Sequence, residues 1–293
     1  MNLKKKIMLV ILIGAITSVL TVFAASPSTP PGQSNQPFSQ AEPRTPITSV
    51  PLTITQSGSY YLTKNLTATG TAITIQADDV TIDLCGFTLS GPNCGWSSSG
   101  ILIEDLPQSI IKNVEIRNGT IRDFGFGINA SGDHHRIIGV RLISNESGIS
   151  MVHIGHLVTG CLVSWNGRLT SGYTWGIDIS ASGCIVSDNT VVYNGSGAIG
   201  NVKGIVVGEG CIVTGNTVSS NGIEADGDVK GIEAGEGCTV TGNTVYDNGV
   251  GASGDRYGVR VDDYCLVDRN TAYSNGTNIS APATCVLGTN CAP

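Results

Sequence analysis

Hydrophobic and polar residues alternate in short runs along most of this chain, and the runs recur at a fixed interval. The segments GIVVGEGCIVTGNTVSSNG, GIEAGEGCTVTGNTVYDNG and GVRVDDYCLVDRNTAYSNG begin at Gly204, Gly231 and Gly258, 27 residues apart. Each copy holds three runs separated by Gly or Asn. Alternation with a period of two residues is typical of β-strands, whose side chains point to opposite faces in turn. The sequence therefore predicts a repeating coil of three short strands.

A fixed repeat of three strands and three turns favours a solenoid, because each strand can pair in parallel with its copy in the next coil. Fainter copies extend the repeat backwards, which predicts about eight coils over residues 72–277 and a rod about 38 Å long. The inward positions should form two apolar columns: Ile128, Ile149, Ile177, Ile205, Ile232 and Val259, and Ala130, Met151, Ile179, Val207, Ala234 and Val261.

Asparagine and cysteine recur in the same register. The predicted columns are Asn189, Asn216, Asn243 and Asn270; Asn194, Asn221, Asn248 and Asn275; and Cys184, Cys211, Cys238 and Cys265. Asparagine tolerates left-handed backbone and can bond its copies in neighbouring coils. Cysteine packs as a small hydrophobe, and four collinear thiols cannot surround one zinc ion tetrahedrally. We therefore expect free thiols in the core.

Two further pairs of residues depend on these columns. His135 and His156 continue the cysteine column, either as buried neutral imidazoles or as catalytic or metal-binding groups. Cys285 and Cys291 lie close together in the tail and are the best disulfide candidates, followed by Cys94 with Cys85.

With this repeat the chain resembles the right-handed parallel β-helix, or pectin-lyase-like, superfamily. PLTITQSGSYYLTKNL, ADDVTIDLCGFTLSG and NGTIRDFG are similar to bacterial secreted β-helix proteins, and the resemblance covers residues 47–277. It implies an all-β fold of about eight coils with three short strands each, but not a reaction, because this fold hosts lyases, hydrolases, epimerases and adhesins. The acidic signatures of polygalacturonases are absent, and no match is found to the aspartates and arginine of pectate lyases.

The chain divides into five predicted segments. Residues 1–25 have three lysines, an apolar run and a Val-x-Ala exit, typical of a cleaved signal peptide. Residues 26–45 are a Pro/Ser/Gln-rich flexible linker, 46–71 an N-terminal cap, 72–277 the coils and 278–293 a C-terminal cap or tail. We expect a monomer that is secreted to the exterior, the periplasm or the cell surface, without membrane attachment after cleavage.

Charge restricts the partners of the predicted mature chain. The full sequence has 16 basic and 23 acidic residues and a net charge of −7. Loss of Lys4, Lys5 and Lys6 with the signal peptide brings the net charge to −10. Such an acidic chain is not expected to bind nucleic acid, which requires a basic surface.

The lengths of the connections predict a site. Connections of nine residues at 91–99, 167–175, 195–203, 222–230 and 249–257 shrink to two residues at 125–126 and 146–147. Two short connections should leave a notch roughly 10 Å wide, unless loop length simply drifts in solenoids. The expected walls are Trp96, Arg168, Tyr173 and Trp175, and the expected floor is Asp123, Phe126, Asn129, Glu146, Ser150 and Asp178.

Aromatic walls over a polar floor suit a sugar chain. We expect a polysaccharide ligand, most plausibly acidic, held by these residues. Asp178 with Asp123 or Glu146 would hold a cation or work as acid and base, and Arg168 would meet a uronate carboxylate. Cleavage by β-elimination would use Arg168 or Lys203 as the base, with calcium as a candidate cofactor. The alternative is a non-catalytic cell-surface or matrix protein whose rod presents loops to a partner.

Two further columns lie outside the notch. Glu209, Glu236 and Asp263 recur two residues before a column cysteine, either as solvated turn residues or as ligands of a metal such as calcium. Trp175, Lys203, Lys230 and Tyr257 form a basic and aromatic edge column, which would extend the carbohydrate track or shield the sheet edge.

Overall fold

The computed structural model describes residues 44–92, 97–107, 109–167 and 172–293, which form strands and turns without a helix. No helix long and apolar enough to cross a membrane is therefore found among these residues. The strands are β1 (Thr45–Ile47), β2 (Leu52–Ile54), β3 (Gly58–Leu62), β4 (Leu66–Thr67), β5 (Ile73–Ile75), β6 (Val80–Asp83), β7 (Thr88–Ser90), β8 (Ser99–Ile103), β9 (Glu115–Arg122), β10 (Phe126–Ala130), β11 (Arg136–Ile143), β12 (Ser147–Met151), β13 (Leu157–Thr159), β14 (Leu162–Ser164), β15 (Thr174–Ile179), β16 (Ile185–Ser187), β17 (Thr190–Val192), β18 (Val202–Val207), β19 (Ile212–Thr214), β20 (Thr217–Ser219), β21 (Val229–Ala234), β22 (Thr239–Thr241), β23 (Thr244–Tyr246), β24 (Arg256–Val261), β25 (Leu266–Asp268), β26 (Thr271–Tyr273), β27 (Thr277–Ser280) and β28 (Val286–Leu287).

The strands form two parallel sheets. The first sheet has the order β2-β5-β8-β10-β12-β15-β18-β21-β24-β27. The other sheet consists of two ladders joined by the long strands β9 and β11. The second ladder runs from β1 and β3 to β28, and the third ladder runs from β4 and β7 to β26. Each strand pairs with its copy one coil later, so the chain is the predicted parallel β-helix.

The core has the predicted register. Ile128 pairs with Ile149, Ile149 with Ile177, and Ile177 with Ile205. All twelve residues of the two predicted apolar columns are at most 3% exposed. The alternation of inward and outward side chains is therefore confirmed for these coils.

Both asparagine columns are buried hydrogen-bonded ladders. The side-chain nitrogen of Asn216 donates to the side-chain oxygen of Asn243 at 3.0 Å, and Asn243 donates to Asn270 at 2.9 Å. In the other column, Asn194 donates to Asn221 at 2.9 Å. Each side chain also bonds the backbone of the preceding coil, which satisfies amide groups that the tight turns would otherwise leave buried without partners. The second column extends further back than predicted, to Asn145 and Asn166.

The cysteine column is a third ladder and includes one predicted disulfide cysteine. The amide nitrogen of Cys238 donates to the sulfur of Cys265 at 3.3 Å, and that of Cys265 donates to the sulfur of Cys285 at 3.4 Å. Cys285 and Cys291 are both free thiols, so the predicted disulfide between them is wrong. The tail forms a shorter coil, and this coil places Cys285 next to Cys265 in the cysteine column rather than against Cys291. Cys85 is also free and exposed, and Cys94 lies outside the described residues.

The ends of the helix contribute strands of their own. Within the described residues the first sheet has ten strands, two more than the eight coils expected. The segment predicted as an N-terminal cap contains β2, which pairs in parallel with β5. Strand β1 begins at Thr45, the last residue of the predicted linker. The predicted signal peptide and the linker up to residue 43 lie outside the described residues, so the division into segments stays a prediction.

Candidate functional site

The outward face of the first sheet carries charged side chains in the central coils. In β21 the backbone alternation buries Val229, Ile232 and Ala234 and turns Lys230 and Glu233 outward. Parallel pairing aligns these positions from coil to coil into two outward columns. One column is Leu102, Asn129, Ser150, Asp178, Val206, Glu233 and Arg260, and the other is Trp175, Lys203, Lys230 and Tyr257.

Glu233 is surrounded by three cations from three coils. Its carboxylate oxygens lie 2.6 Å from Lys203 Nζ, 2.5 Å from Lys230 Nζ and 2.7 Å from Arg260 Nη1. Burial by itself would raise the pKa of Glu233, but the two ammonium groups hold it below its usual range. The cluster therefore consists of one carboxylate and three positive groups, with a local excess of positive charge.

Asp178 lies one coil before Lys203, and its pKa is displaced in the direction opposite to that of Glu233. Its carboxylate accepts a hydrogen bond from Ser180 Oγ at 2.6 Å. Burial raises the pKa of Asp178, and the bond from Ser180 and the charge of Lys203 only partly oppose this. Two carboxyl groups of one face therefore have pKa values displaced in opposite directions, an arrangement found where one group exchanges protons and the other stays charged.

An aromatic pair borders the charged cluster. The rings of Tyr173 and Trp175 are stacked, with centroids 5.9 Å apart and planes 10° apart, and Tyr173 is 54% exposed. Trp175 lies directly beside Lys203 in the sheet register. A shallow depression of about 210 Å³ is lined by Gly172, Tyr173, Gly200 and Asn201. The face thus offers an aromatic surface within one coil of the cations.

The predicted notch is only partly described. The connections from β9 to β10 and from β11 to β12 are short, as expected, and Asn129, Ser150 and Asp178 are neighbours in one column. Phe126 is aligned with Ser147 in the other column, and Glu146 is half-buried in the adjacent turn. Trp96 and Arg168 lie outside the described residues. The notch as a binding site therefore stays a prediction.

Two of the expected roles are not supported by the observed contacts. Asp123 is ion-paired with its neighbour Arg122 at 2.7 Å, in the turn that precedes β10. Lys203 is ion-paired with Glu233 and has no lone pair to accept a proton, so it does not have the contacts of a general base. Sequence reasoning missed Glu233 and Arg260, although both occupy the outward position three residues after Lys230 and Tyr257.

The column of expected metal ligands does not converge on a common metal site in this structure. Glu209, Glu236 and Asp263 are exposed, and the Asp263 carboxylate accepts a hydrogen bond from Thr284 Oγ1 at 2.5 Å. Across the described part of the chain, no group of three or more His, Cys, Asp or Glu side chains is arranged to hold a metal ion. The structure therefore favours solvated turn residues at these positions.

Comparison with known proteins agrees with the fold. No protein-family model and no curated protein sequence matches the chain. The enzymatically active domain of tailspike protein 2 of bacteriophage CBA120 has a TM-score of 0.58 at 15% identity, over 83% of this chain and 42% of that chain. The present chain thus spans less than half of the tailspike chain.

A second similar structure is the A-module of the mannuronan C-5 epimerase AlgE4 of Azotobacter vinelandii, with a TM-score of 0.44 at 14% identity, over 80% of this chain and 87% of that chain. At 15% identity the likeness to the tailspike domain concerns the fold alone, and it agrees with the two parallel sheets. The chain is a parallel β-helix protein.

Proposed function

We propose that this protein binds an acidic polysaccharide along the outward face of the first sheet, and that it does so outside the cytoplasm, as the N-terminal sequence predicts. The observation that carries the proposal is the cluster of Lys203, Lys230 and Arg260 around Glu233, with Trp175 beside it. Three cations against the carboxyl groups of Glu233 and Asp178 leave this part of the face with a positive balance in a chain of net charge −7.

The geometry of the face suits a sugar chain that lies along the helix axis. Neighbouring coils are about 4.8 Å apart, close to the length of one sugar residue. Successive cations could therefore meet the acidic groups of successive sugars, with charge-assisted hydrogen bonds. Trp175 and Tyr173 provide aromatic faces for stacking on a sugar ring. Arg260 is the most accessible cation, because its side chain is 40% exposed compared with 15% for Lys230.

The proposal extends to cleavage of the bound polysaccharide by β-elimination. β-Elimination requires a base that removes the proton next to the uronate carboxylate. Lys203 is engaged with Glu233, whereas Asp178 has a raised pKa and lies on the same face. We therefore assign any proton transfer to Asp178. The fold shared with the enzymatically active domain of a tailspike protein supports testing for an enzyme.

Affinity electrophoresis of the purified protein in gels that contain polygalacturonate tests the proposal. We expect retardation that weakens with salt, and loss of most of it in Arg260→Ala and Trp175→Ala. Arg269→Ala is the matched control, because Arg269 is 75% exposed and its nearest ion-pair partner is the adjacent Asp268, away from the first sheet. Equal retardation of all variants would refute binding at this face.

The same preparations serve for an assay of ultraviolet absorbance from unsaturated sugar ends, with calcium and then with a chelator. An increase that Asp178→Asn abolishes would establish a polysaccharide lyase. A flat trace combined with retardation in the gel would identify a non-catalytic polysaccharide-binding protein.

A further inference from the structure

A second face of the helix differs chemically from the charged one. No charged residue occurs in strands β13, β14, β16, β17, β19, β20, β22 and β23, although the first-sheet strands β15, β18 and β21 each carry one or more. The central residue of each of the eight strands points inward and is fully buried: Val158, Val163, Val186, Val191, Val213, Val218, Val240 and Val245. The residues that flank these valines are half-buried or exposed, except for the buried Ser164 and Ser219, and we call their surface the uncharged face.

The uncharged face is built of straight rows of hydroxyl and apolar groups. On the second ladder, Thr159, Ser187, Thr214 and Thr241 follow one another in register. Ser187 Oγ donates to Thr159 Oγ1 at 3.0 Å, so the row is ordered by its own hydrogen bonds. Beside it lies an apolar row that contains the exposed Ile185 and Ile212, and the third ladder adds Thr190, Thr217 and Thr244.

Two stacked aromatic pairs stand at the outer border of this face. Trp165 and Tyr193 have ring centroids 4.7 Å apart with planes at 9°, and they are 46% and 39% exposed. Tyr246 and Tyr273 have centroids 5.1 Å apart with planes at 6°. In both pairs the rings come from consecutive coils. The border therefore presents aromatic rings to solvent at two places along the axis.

The geometry of the turn does not explain why the large residues Trp165 and Tyr193 occupy it. Trp165 and Tyr193 have φ values of +58° and +57°, a region that is unfavourable for large side chains. The equivalent turns in later coils are made by Ser220, Asp247 and Ser274, which are smaller and have φ values of +53° to +56°. A small polar residue therefore satisfies this turn, and the rings require another explanation.

We infer that the uncharged face binds a neutral polysaccharide. Aromatic rings stack on the C–H faces of sugars, and rows of hydroxyl groups can donate to and accept from sugar hydroxyls. The strands of this face carry no charge, and the exposed Asp188 in the turn between β16 and β17 would repel an acidic chain, which separates the ligand of this face from that of the first sheet. The hydroxyl rows also favour a sugar surface over a second copy of the protein, because each hydroxyl that is bonded within its row keeps further hydrogen-bonding capacity that a sugar hydroxyl can use and an apolar contact cannot.

The test measures co-sedimentation of the full-length protein with insoluble cellulose, chitin and β-1,3-glucan, in the presence of excess soluble polygalacturonate. The competitor occupies the first-sheet face, so failure of either site is seen separately. We expect retention on at least one neutral polymer that does not change with salt. Trp165→Asn combined with Tyr193→Asn should reduce retention about tenfold. Asparagine is chosen because it tolerates the positive φ.

Tyr264→Asn is the matched control, since Tyr264 is an aromatic residue with φ +59° and 67% exposure in the turn between β24 and β25, one coil beyond the strands of the uncharged face. It should be retained like the native protein. Thr217→Lys, which places a charge in the face, should reduce retention as the aromatic variant does. No retention of the native protein on any polymer would overturn the proposal, and so would equal retention of the double variant. A dimer in light scattering that the double variant dissociates would also overturn it, by assigning the face to self-association.

Discussion

The backbone amide of His156 donates a hydrogen bond to the sulfur of Cys184, 3.3 Å away in the next coil. In the coil before, the amide of His135 donates to Nδ1 of His156 at 3.2 Å. In each case the side chain accepts from the amide of the preceding coil and bonds a carbonyl of its own coil, as His156 Nε2 does with Val152 O at 2.9 Å and Cys184 Sγ does with Ser182 O at 3.4 Å. Histidine and cysteine are thus interchangeable in one ladder, because each offers one acceptor and one donor.

This ladder predicts a stability that depends on pH. Burial lowers the pKa of His135 to about 4 and also lowers that of His156. The neutral rings stabilise the folded state above the unfolded pKa of about 6.5, and this contribution is lost as the pH falls. Protonation of His135 in the unfolded chain should lower the free energy of unfolding by up to about 3 kcal/mol between pH 6.5 and 4. Urea unfolding midpoints should fall through that window.

The control for this prediction is His135→Asn, which keeps one acceptor and one donor but does not titrate. Its stability should vary less between pH 6.5 and 4 than that of the native protein. If the two proteins lost stability in parallel over that interval, the buried imidazole would not be the cause. Glu233, whose pKa is lowered, contributes a loss at more acidic pH and does so in both proteins.

The asparagine ladder predicts a large effect of one side chain. Asn243 accepts from the amide and the side chain of Asn216 and donates to Val213 O and Asn270. Asn243→Ala leaves buried groups without partners and should cost about 2–4 kcal/mol of unfolding free energy. Asn243→Cys should cost less, because Cys161 already occupies this column, where its backbone amide donates to the side-chain oxygen of Asn189. Equal losses in the two variants would argue against the ladder.

The thiols are predicted to differ in reactivity. Cys85 and Cys291 are exposed, whereas Cys184, Cys211, Cys238 and Cys265 are buried. Burial also raises the pKa of the buried Cys161 thiol to about 11, which disfavours the reactive thiolate. Iodoacetamide should modify Cys85 and Cys291 in the folded protein and the column cysteines only after unfolding. Mass spectrometry identifies the sites. A disulfide between Cys285 and Cys291 in the native protein would contradict the structure.

The charge cluster makes Glu233 a stabilising residue. Glu233→Gln leaves Lys203, Lys230 and Arg260 close together without a negative partner. We expect a loss of about 1–3 kcal/mol at neutral pH and low salt, smaller at high salt where the repulsion is screened. Thermal unfolding at two salt concentrations measures this. Glu209→Gln is the control, because Glu209 is an exposed turn residue, and it should change stability little.

The sequence by itself determined the coil. Alternation places Ile205 and Ile232 inward, and the 27-residue period brings them into register, because in-register parallel pairing leaves little freedom once the buried face is fixed. The edge column of Trp175, Lys203, Lys230 and Tyr257 followed from the same argument, and the register places it as expected. Local pattern decides these features because each coil repeats the same local structure.

The tertiary structure decided what breaks the repeat or joins separate coils. Cys285 lies 20 residues after Cys265, and only the packing of the tail coil places it in the ladder. Glu233 meets Lys203 and Arg260 because long side chains of adjacent coils converge on one half-buried carboxylate, and their orientations depend on the field of all four groups. Such convergence depends on the distances between side chains in space, and these distances cannot be derived from the spacing of residues along the chain.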